Sequence, residues 1–391
     1  MSVHSPLFSI IIPTRNRASL LQYALLSAAR QDFDDYEIIV SDNHSEDATP
    51  EVVHRFGEGR VRYARANRAL SMPDSWEFAL SHARGEYVTY LCDDDAIRPL
   101  LLQKLADTLS REETDIVSWP FGAIYYHDSW DKVTDRNTLH YAVPDGRALR
   151  VKADAVCEEL SNCRFTHHLP RLLNSCADRR LLSEIQLKLG RVFWPTCPDY
   201  TAGIAQLAFR KELIYLDELM LVWGVGKESI GASQTNRGHA AEVFLEELRN
   251  DNVPVLKYVP AKIHSPTNYA LDSFLFMKDK LGSLLPDCAL NTNAYYTLIS
   301  GEPAGGPSNA KAEFAEFCRA LHGEPLDVRL KVRVNLALRK LKNRAARGTA
   351  RWRIPKSSPE LRSVMGKDYN FKNIFECVQR LDRIIPAQRP Q

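Results

Sequence analysis

The chain has 391 residues, 45% of them hydrophobic and 26% charged, which is typical of a soluble globular protein large enough for two lobes. No apolar run reaches the roughly 20 residues of a membrane-spanning helix, and Leu7–Ile12 is too short for a signal peptide, so we expect a cytoplasmic protein. The formal net charge of +2 is uninformative by itself because the charges are unevenly distributed, and the eight cysteines include no CxxC pair, which argues against a zinc ribbon and favours reduced thiols.

The first hundred residues alternate between predicted strands and helices. Apolar runs predict strands over Phe8–Pro13, Glu37–Ser41, Val61–Arg65 and Glu86–Leu91, and helical spacing predicts helices over Ala18–Arg30 and Asp74–Ala83. Connections of this length favour parallel pairing, so we expect an α/β fold with a doubly wound, mostly parallel sheet flanked by helices. Ligands of such sheets bind beyond the carboxyl ends of the strands.

Three polar clusters follow these strands, at Pro13–Asn16, Asp42–Asp47 and Asp93–Asp95, and they should converge on one crevice. The first has no GxGxxG, which rejects a Rossmann dinucleotide site. Gly226 and Lys227 superficially suggest a P-loop, but Glu228 occupies the required Ser/Thr position.

Three consecutive aspartates, Asp93–Asp95, repel one another unless a cation offsets their charge. Mg²⁺ and Mn²⁺ prefer such oxygen ligands and neutralise the charge that develops on a diphosphate leaving group. The alternative is a solvated loop that caps the helix beginning near Pro99.

Together, three segments resemble family 2 glycosyltransferases of the GT-A fold, and the resemblance covers about residues 6–230. The segments are Ser9–Arg17 (SIIIPTRNR), Ile38–Thr49 (IIVSDNHSEDAT) and Gly85–Asp95 (GEYVTYLCDDD). The resemblance implies an inverting transfer of a sugar from a nucleotide-diphosphate donor, with Mn²⁺ or Mg²⁺ on the diphosphate. UDP is the commonest donor nucleotide in that family.

The resemblance also implies residue roles. Donor-binding residues would be Pro13, Thr14, Arg15, Asn16, Asp42, Asp93 and Asp94, and the metal ligands would be Asp95 and Asp93. In an alternative register the family reads Asp-x-Asp-Asp, which puts Cys92 in the place of the first acid. The family pattern also differs at Asn43 and His44, where Asp and Gly are common.

Inversion needs a base on the face opposite the leaving diphosphate, and Asp199 is the predicted one. Pro198 favours extended geometry at Cys197, and Ala202–Phe209 reads as a helix, so Asp199 would lie at that helix's N-terminus. The family places its catalytic carboxylate at a similar separation from the aspartate cluster. The alternative is that Asp199 serves only as a helix cap.

Two further residues are weaker candidates. Trp223–Ser229 follows a predicted strand over Glu218–Val222, and its glycines would let a loop close with Lys227 reaching a phosphate. The alternative for Lys227 is a solvent-facing loop lysine. His239 would be a third metal ligand, by analogy with some GT-A enzymes.

The chain beyond residue 235 is predicted to be mainly helical, giving a catalytic domain over 1–235 and a helical region over 236–391 for acceptor, membrane-surface or oligomer contacts. Residues 328–356 carry eleven basic residues and no acid. Leu330, Val334, Leu338 and Leu341 share one helical face, which suits an anionic membrane surface at the inner face of the cell membrane. A solvated face packed on the catalytic lobe is the alternative, and we expect no nucleic-acid partner.

These patterns predict a glycosyltransferase that uses a UDP-sugar and a glycan or lipid-linked acceptor. The rival is a catalytically inactive GT-A module that binds nucleotide or glycan in a surface-polysaccharide assembly complex. A nucleotidyltransferase would show a Gly-x-Gly-x-Arg loop where this chain has Pro13–Asn16.

Overall fold

A computed structural model describes residues 5–57, 59–227, 229, 239–250, 253–300, 306–346 and 361–385, with residues 239–241, 306–311 and 338–346 described by their backbone only. These residues form two compact units. The first comprises the described residues up to 153, residues 167–229 and those from 361 onward. The second comprises residues 154–166 and the described residues from 239 to 346.

The strands all lie in the first unit. They are β1 (Phe8–Thr14), β2 (Tyr36–Asp42), β3 (Val61–Arg65), β4 (Tyr87–Tyr90), β5 (Ala96–Ile97), β6 (Ile116–Ser118), β7 (Ala123–Tyr126), β8 (Thr138–Ala142), β9 (Ala148–Lys152), β10 (Ser175–Asp178), β11 (Glu212–Leu216), β12 (Leu221–Val225) and β13 (Leu361–Met365).

The helices of the first unit flank its sheets. They are α1 (Ala18–Ala28), α2 (Thr49–His54), α3 (Met72–Ser81), α4 (Leu101–Leu109), α6 (Arg179–Leu189), α7 (Pro198–Phe209), α13 (Gly366–Tyr369), α14 (Ile374–Gln379) and α15 (Leu381–Ile384). The remaining helices are α5 (Ala153–Ser161), α8 (His239–Asn250), α9 (Pro266–Leu281), α10 (Thr292–Ile299), α11 (Gly306–His322) and α12 (Leu326–Ala346).

The larger sheet has the order β3-β2-β1-β4-β10-β6-β11-β9. Strands β1 to β4 are parallel, because a helix after each of the first three returns the chain to the opposite end of the sheet. Strands β10 and β9 pair antiparallel with their neighbours. The predicted α/β class with a helix-flanked, mostly parallel sheet and an additional helical region is confirmed.

The core explains why these segments become strands. Ile10, Ile12, Ile38 and Val40 are fully buried against α1, whose buried face includes Leu21. Strands covered on both faces read as continuous apolar runs, which is the pattern that predicted β1 and β2.

A smaller sheet has the order β13-β8-β7-β12-β5. Its edge strand β13 comes from the end of the chain, so residues 361–385 join the first unit, whereas the predicted helical region extended over 236–391. Phe371 and Ile374 are buried in this sheet's core, which accounts for the return.

The strand predicted over Glu218–Val222 lies three residues later, at Leu221–Val225. Trp223 and Gly224, predicted to form a loop, pair instead with Ile124 and Tyr125 of β7. No helix among the described residues is both long enough and apolar enough to cross a bilayer.

Candidate active site

The carboxyl ends of β1, β2 and β4 bring the predicted clusters together. Ile11 pairs with Tyr90 at the end of the β1–β4 ladder. Thr14 comes three residues after Ile11, and Asp93 comes three residues after Tyr90. The Thr14 hydroxyl donates a hydrogen bond of 2.7 Å to Asp93. On its other side Thr14 pairs with Asp42 of β2. The parallel register therefore places all three polar clusters at one edge.

Asp93 is buried and forms an ion pair with Arg17. Arg17 Nη1 lies 2.9 Å from Asp93 Oδ1 and 3.6 Å from Asp94 Oδ2. Burial raises the pKa of Asp93, and Arg17 opposes that rise. Burial lowers the pKa of Arg17, but the two carboxylates outweigh it and raise the net pKa. Arg17 is thus a fixed cation beside the aspartates.

Asp94 and Asp95 are oriented by β12 and by the segment that follows it. The Ser229 hydroxyl donates to Asp94 Oδ2 at 2.7 Å, and the backbone N–H of Gly224 donates to Asp95 Oδ1 at 2.8 Å. His127 Nε2 lies 2.9 Å from the backbone oxygen of Asp94. A Cβ at Gly224 would overlap that same backbone oxygen, so only glycine allows this approach.

Cys92, Asp94 and Asp95 form a group suited to a metal ion. One ligand atom from each lies within 4.8 Å of the others. Burial raises the pKa of Cys92 well above its usual value, followed by the effect of the three aspartates, so the sulfur is a thiol when no cation is near. Burial and Asp94 likewise raise the pKa of Asp95. Two carboxylates and a sulfur held so close together fit a divalent ion, which would offset the charge repulsion that adds to both shifts.

The structure places the predicted metal ligands in different settings. Asp95 belongs to the group above, whereas the two oxygens of Asp93 accept from Thr14 and Arg17. The side chain of His239 lies outside the described residues. Lys227 is exposed, and its backbone N–H donates to Ser129 Oγ at 3.3 Å.

The loop after β1 is joined to the loop after β2. Pro13 pairs with Ser41 inside the sheet, and Arg15 is half-buried. Asn16 has a positive φ of 55° and accepts a hydrogen bond of 2.7 Å from the N–H of Glu46. Asn16 therefore fixes the two loops to each other.

Asp42 is fully buried and anchors the second loop. It accepts from the N–H of Ser45 at 2.7 Å, from Arg65 Nη1 at 3.1 Å and from the Tyr63 hydroxyl. Burial, followed by the bond to Asp42, raises the pKa of Tyr63 to about 12. Tyr63 therefore remains a neutral donor at this edge.

Asp199 lies in the first turn of α7, as predicted, and its side chain is 17% exposed. Arg171 Nη1 is 3.5 Å from Asp199 Oδ2. The Arg171 guanidinium lies over the rings of Phe121 and Tyr200, at 4.1 and 4.8 Å from their centroids. Burial raises the pKa of Asp199, and Arg171 opposes that rise.

A continuous series of contacts connects Asp199 to the metal-ligand group. Phe121, whose ring contacts the Arg171 guanidinium, packs against the ring of Trp223 at 6.0 Å between centroids. Trp223 precedes Gly224, the donor to Asp95. The Trp223 side chain is 40% exposed, so part of this aromatic residue is open to solvent.

Sequence reasoning missed four of these contributors, namely Arg17, Arg171, Gly224 and Ser229. Arg17 ends the Ser9–Arg17 segment. The three adjacent aspartates at Asp93–Asp95 were a signal that a basic partner such as Arg17 was needed. Gly224 and Ser229 also stood in a quoted segment, but their pairing with Asp95 and Asp94 spans more than 120 residues. Arg171 carries no local signal.

Comparison with known proteins identifies the first part of the chain. The family model described as "Glycosyl transferase family 2" matches residues 9–166. Residues 9–166 are therefore similar to a glycosyl transferase family 2 domain. Asp199, Gly224 and Ser229 lie beyond the matched residues, so the match does not bear on their roles.

Several curated relatives match this domain. The GalNAc(5)-diNAcBac-PP-undecaprenol beta-1,3-glucosyltransferase of Campylobacter jejuni is 38% identical over 120 residues, which are 30% of this chain and 38% of that protein. The validoxylamine A glucosyltransferase of Streptomyces hygroscopicus is 48% identical over 61 residues, 15% of this chain and 14% of that protein. The chain spans between 38% and 46% of the length of the first relatives that it matches.

Among solved structures, S. aureus TarS 1–349 in complex with UDP-GlcNAc aligns over 90% of this chain and 95% of that one. Its TM-score is 0.47 and its sequence identity is 14%.

Proposed function

We propose that the protein is an inverting glycosyltransferase that moves a sugar from a nucleoside-diphosphate donor, with UDP as the first choice, to a hydroxyl of a glycan or lipid-linked acceptor. One observation carries the proposal. Within a family 2 glycosyltransferase domain, Thr14, Arg17 and the group Cys92, Asp94 and Asp95 converge at the carboxyl edge of a parallel sheet. The catalytic domain would comprise residues 1–235 together with the returning segment 361–385.

The residues at this edge divide into two kinds. Cys92, Asp94 and Asp95 would hold Mn²⁺ or a similar ion, which neutralises charge on the departing diphosphate. Asp42 and Asn16 order the loops that would receive the nucleoside, because their side chains bond the backbone of those loops. Arg17 limits the repulsion among the aspartates before donor and ion arrive.

Asp199 is the proposed general base. The acceptor oxygen forms a bond to the anomeric carbon while the carbon–oxygen bond to the diphosphate breaks, and the nucleoside diphosphate leaves with that electron pair. Asp199 takes the proton of the acceptor hydroxyl, and a single displacement inverts the anomeric configuration. A raised pKa makes Asp199 a better proton acceptor than an exposed carboxylate, and Arg171 limits that rise by favouring the ionised form.

The acceptor class is proposed from the relatives and from α12. The Campylobacter relative is named for an undecaprenol-linked glycan. In α12 the side chains of Leu326, Leu330 and Val334 are exposed at a spacing of four residues, so they share one face. Exposed apolar side chains beside basic ones suit an anionic bilayer surface.

Vesicle flotation tests this surface. Wild type should float with vesicles that contain anionic lipid, and Leu330→Glu with Val334→Glu should not. Equal flotation of both proteins would rule out this face as the contact.

The donor site is tested by calorimetry with UDP, GDP and TDP, each with and without Mn²⁺. We expect one nucleotide to bind wild type in a metal-dependent manner and to lose that binding in Asp95→Ala. Asp34→Ala, which removes a fully exposed carboxylate, is the matched control. If none of the three binds wild type in either condition, the transferase proposal fails.

Turnover separates the enzyme from the inactive-module alternative. With a panel of sugar nucleotides and lipid-linked acceptors, Asp199→Asn should lower nucleoside-diphosphate release by about a thousandfold while nucleotide affinity stays unchanged. Nucleotide binding without release of nucleoside diphosphate from any donor would favour the inactive module.

A further inference from the structure

The metal-ligand group of this protein contains a sulfur atom. Cys92 lies between Leu91 and Asp93, directly before the three aspartates. Its sulfur lies within 4.8 Å of ligand oxygens from both Asp94 and Asp95. Among the described residues, no second cluster of three acidic, histidine or cysteine side chains meets this spacing.

Cys92 provides the third ligand atom of the group, beside the oxygens of Asp94 and Asp95. Asp93 is committed to Thr14 and Arg17, so it does not substitute for Cys92. Ser229 and Gly224 each occupy one oxygen of Asp94 and Asp95, which orients the second oxygen of each carboxylate. The protein therefore presents one sulfur and two carboxylates in a preformed arrangement.

We propose that Cys92, on losing its thiol proton, ligates the metal ion through its sulfur and makes the site select more thiophilic divalent ions, such as Co²⁺ and Zn²⁺, over Mg²⁺. Thiolate ligands favour softer ions, whereas Mg²⁺ requires oxygen ligands in near-ideal octahedral geometry. The proposal rests on the proposed function only for the remaining coordination positions, which phosphate oxygens of the donor and water would fill.

Cobalt spectroscopy tests the sulfur directly. Co²⁺ is titrated into the full chain, with and without UDP, and the near-ultraviolet charge-transfer band of a sulfur–cobalt bond is recorded. We expect the band in wild type and in Cys318→Ser, which removes an exposed thiol, and no band in Cys92→Ser or Cys92→Asp. Circular dichroism and melting of each metal-free variant verify the fold.

Calorimetric competition gives a second readout. Cys92→Asp supplies a third carboxylate, so the preference for Co²⁺ over Mg²⁺ should fall by about tenfold relative to wild type. Cys318→Ser should keep the wild-type preference. If Cys92→Ser unfolds, Cys92→Asp is the variant that tests the proposal, because it replaces the sulfur by a carboxylate, another side chain that can bind a metal ion.

The outcomes separate this proposal from the proposed function. Co²⁺ that binds wild type without a sulfur band, or with the same preference as Cys92→Asp, overturns the role of Cys92 and leaves the transferase proposal standing. If neither Co²⁺ nor Mn²⁺ binds wild type while UDP binds, the metal site is overturned but the nucleotide site is not. Absence of all binding overturns both.

Discussion

Three adjacent aspartates follow β4, and the chain offsets their repulsion in two ways. Arg17 supplies a positive charge 2.9 Å from Asp93, and backbone and hydroxyl donors reach Asp94 and Asp95. The pKa values of Asp93 and Asp95 are nevertheless raised by burial, so the offset is incomplete. A bound cation would reduce the remaining repulsion among the carboxylates, which favours its binding.

The first prediction concerns stability and pH. An acid whose pKa is raised on folding stabilises the protein fully below its unfolded pKa, and that contribution is lost as pH rises through the folded value. The contribution of Asp93 and Asp95 to the stability of the metal-free protein should therefore decline from about pH 4 upward. Arg17→Gln should lower the free energy of unfolding at pH 7 by about 3 kcal/mol, since it leaves buried carboxylates unpaired.

Denaturant unfolding at pH 4.5 and pH 8, with and without Mn²⁺, checks this prediction. Arg17→Lys keeps the charge and is the control. A loss in Arg17→Gln that is equal at both pH values, and unaffected by Mn²⁺, would show that Arg17 acts through packing.

The second prediction concerns Arg171 as a positioning residue for Asp199. Without the guanidinium the pKa of Asp199 should rise further, because burial already raises it and Arg171 is the cation opposing that rise. Asp199 accepts a proton only when ionised. The acidic limb of the kcat/KM profile in Arg171→Gln should therefore move to higher pH by about one pH unit.

Arg171→Lys keeps a positive charge but loses the planar stack on Phe121 and Tyr200. It should return the acidic limb of the kcat/KM profile to its wild-type pH but should not restore the full kcat. An unmoved limb in Arg171→Gln, measured once a donor and acceptor are known, would remove Arg171 from this role.

At the scale of elements, β12 has a role that neither its sequence nor its predicted position indicates. It lies between β7 and β5 in the smaller sheet, and its Gly224 meets the loop that carries the aspartates. The larger sheet provides Thr14 and Asp42, and the smaller sheet fixes Asp95. The site is therefore built where two sheets of the first unit meet.

The third prediction follows from this close approach. Gly224→Ala would force Cβ into the Asp94 backbone oxygen, so we expect a loss of about 1–3 kcal/mol in unfolding free energy and weaker Mn²⁺ binding. Thermal unfolding and Mn²⁺ calorimetry measure the two effects. Gly323→Ala is the control, because its Cβ would meet only Ala320 at 3.4 Å. Unchanged Mn²⁺ affinity in Gly224→Ala would argue that Asp95 does not need this donor.

At the scale of the whole molecule, the end of the described chain completes the first unit. Strand β13 pairs with β8, and Asn137 Nδ2 donates to the backbone oxygen of Phe371 at 3.0 Å. The Phe371 ring is buried against Tyr125 of β7, 6.1 Å between centroids. Residues 361–385 therefore add an edge strand and buried side chains to the sheet that contains β12.

The fourth prediction tests this contribution. Phe371→Ala should lower the free energy of unfolding by about 3–5 kcal/mol, since it leaves a cavity in the core of the smaller sheet. Phe314→Ala, at a side chain that is 67% exposed in α11, should be nearly neutral. Hydrogen exchange should show faster exchange in β7 and β8 of Phe371→Ala. Wild-type exchange there would mean that the segment is not integral to the unit.

The sequence alone was sufficient for β1, β2, β3 and β4 and for the helices after β1 and β3. Each is encoded locally, by a continuous apolar run or by apolar residues at helical spacing, and short connections leave few ways to pair them. The convergence of Thr14, Asp42 and the aspartates followed from that parallel order. The position of Asp199 at a helix N-terminus followed from Pro198.

The tertiary structure decided how the site's side chains are distributed. Adjacent residues in the tight turn after β4 point in different directions, so Asp93 meets Arg17 while Cys92, Asp94 and Asp95 meet one another. Gly224, Ser229 and Phe371 reach their partners across more than 120 residues of chain, and such contacts leave no local periodicity. These contacts form only when segments that are far apart in sequence pack together, so the tertiary structure determines them.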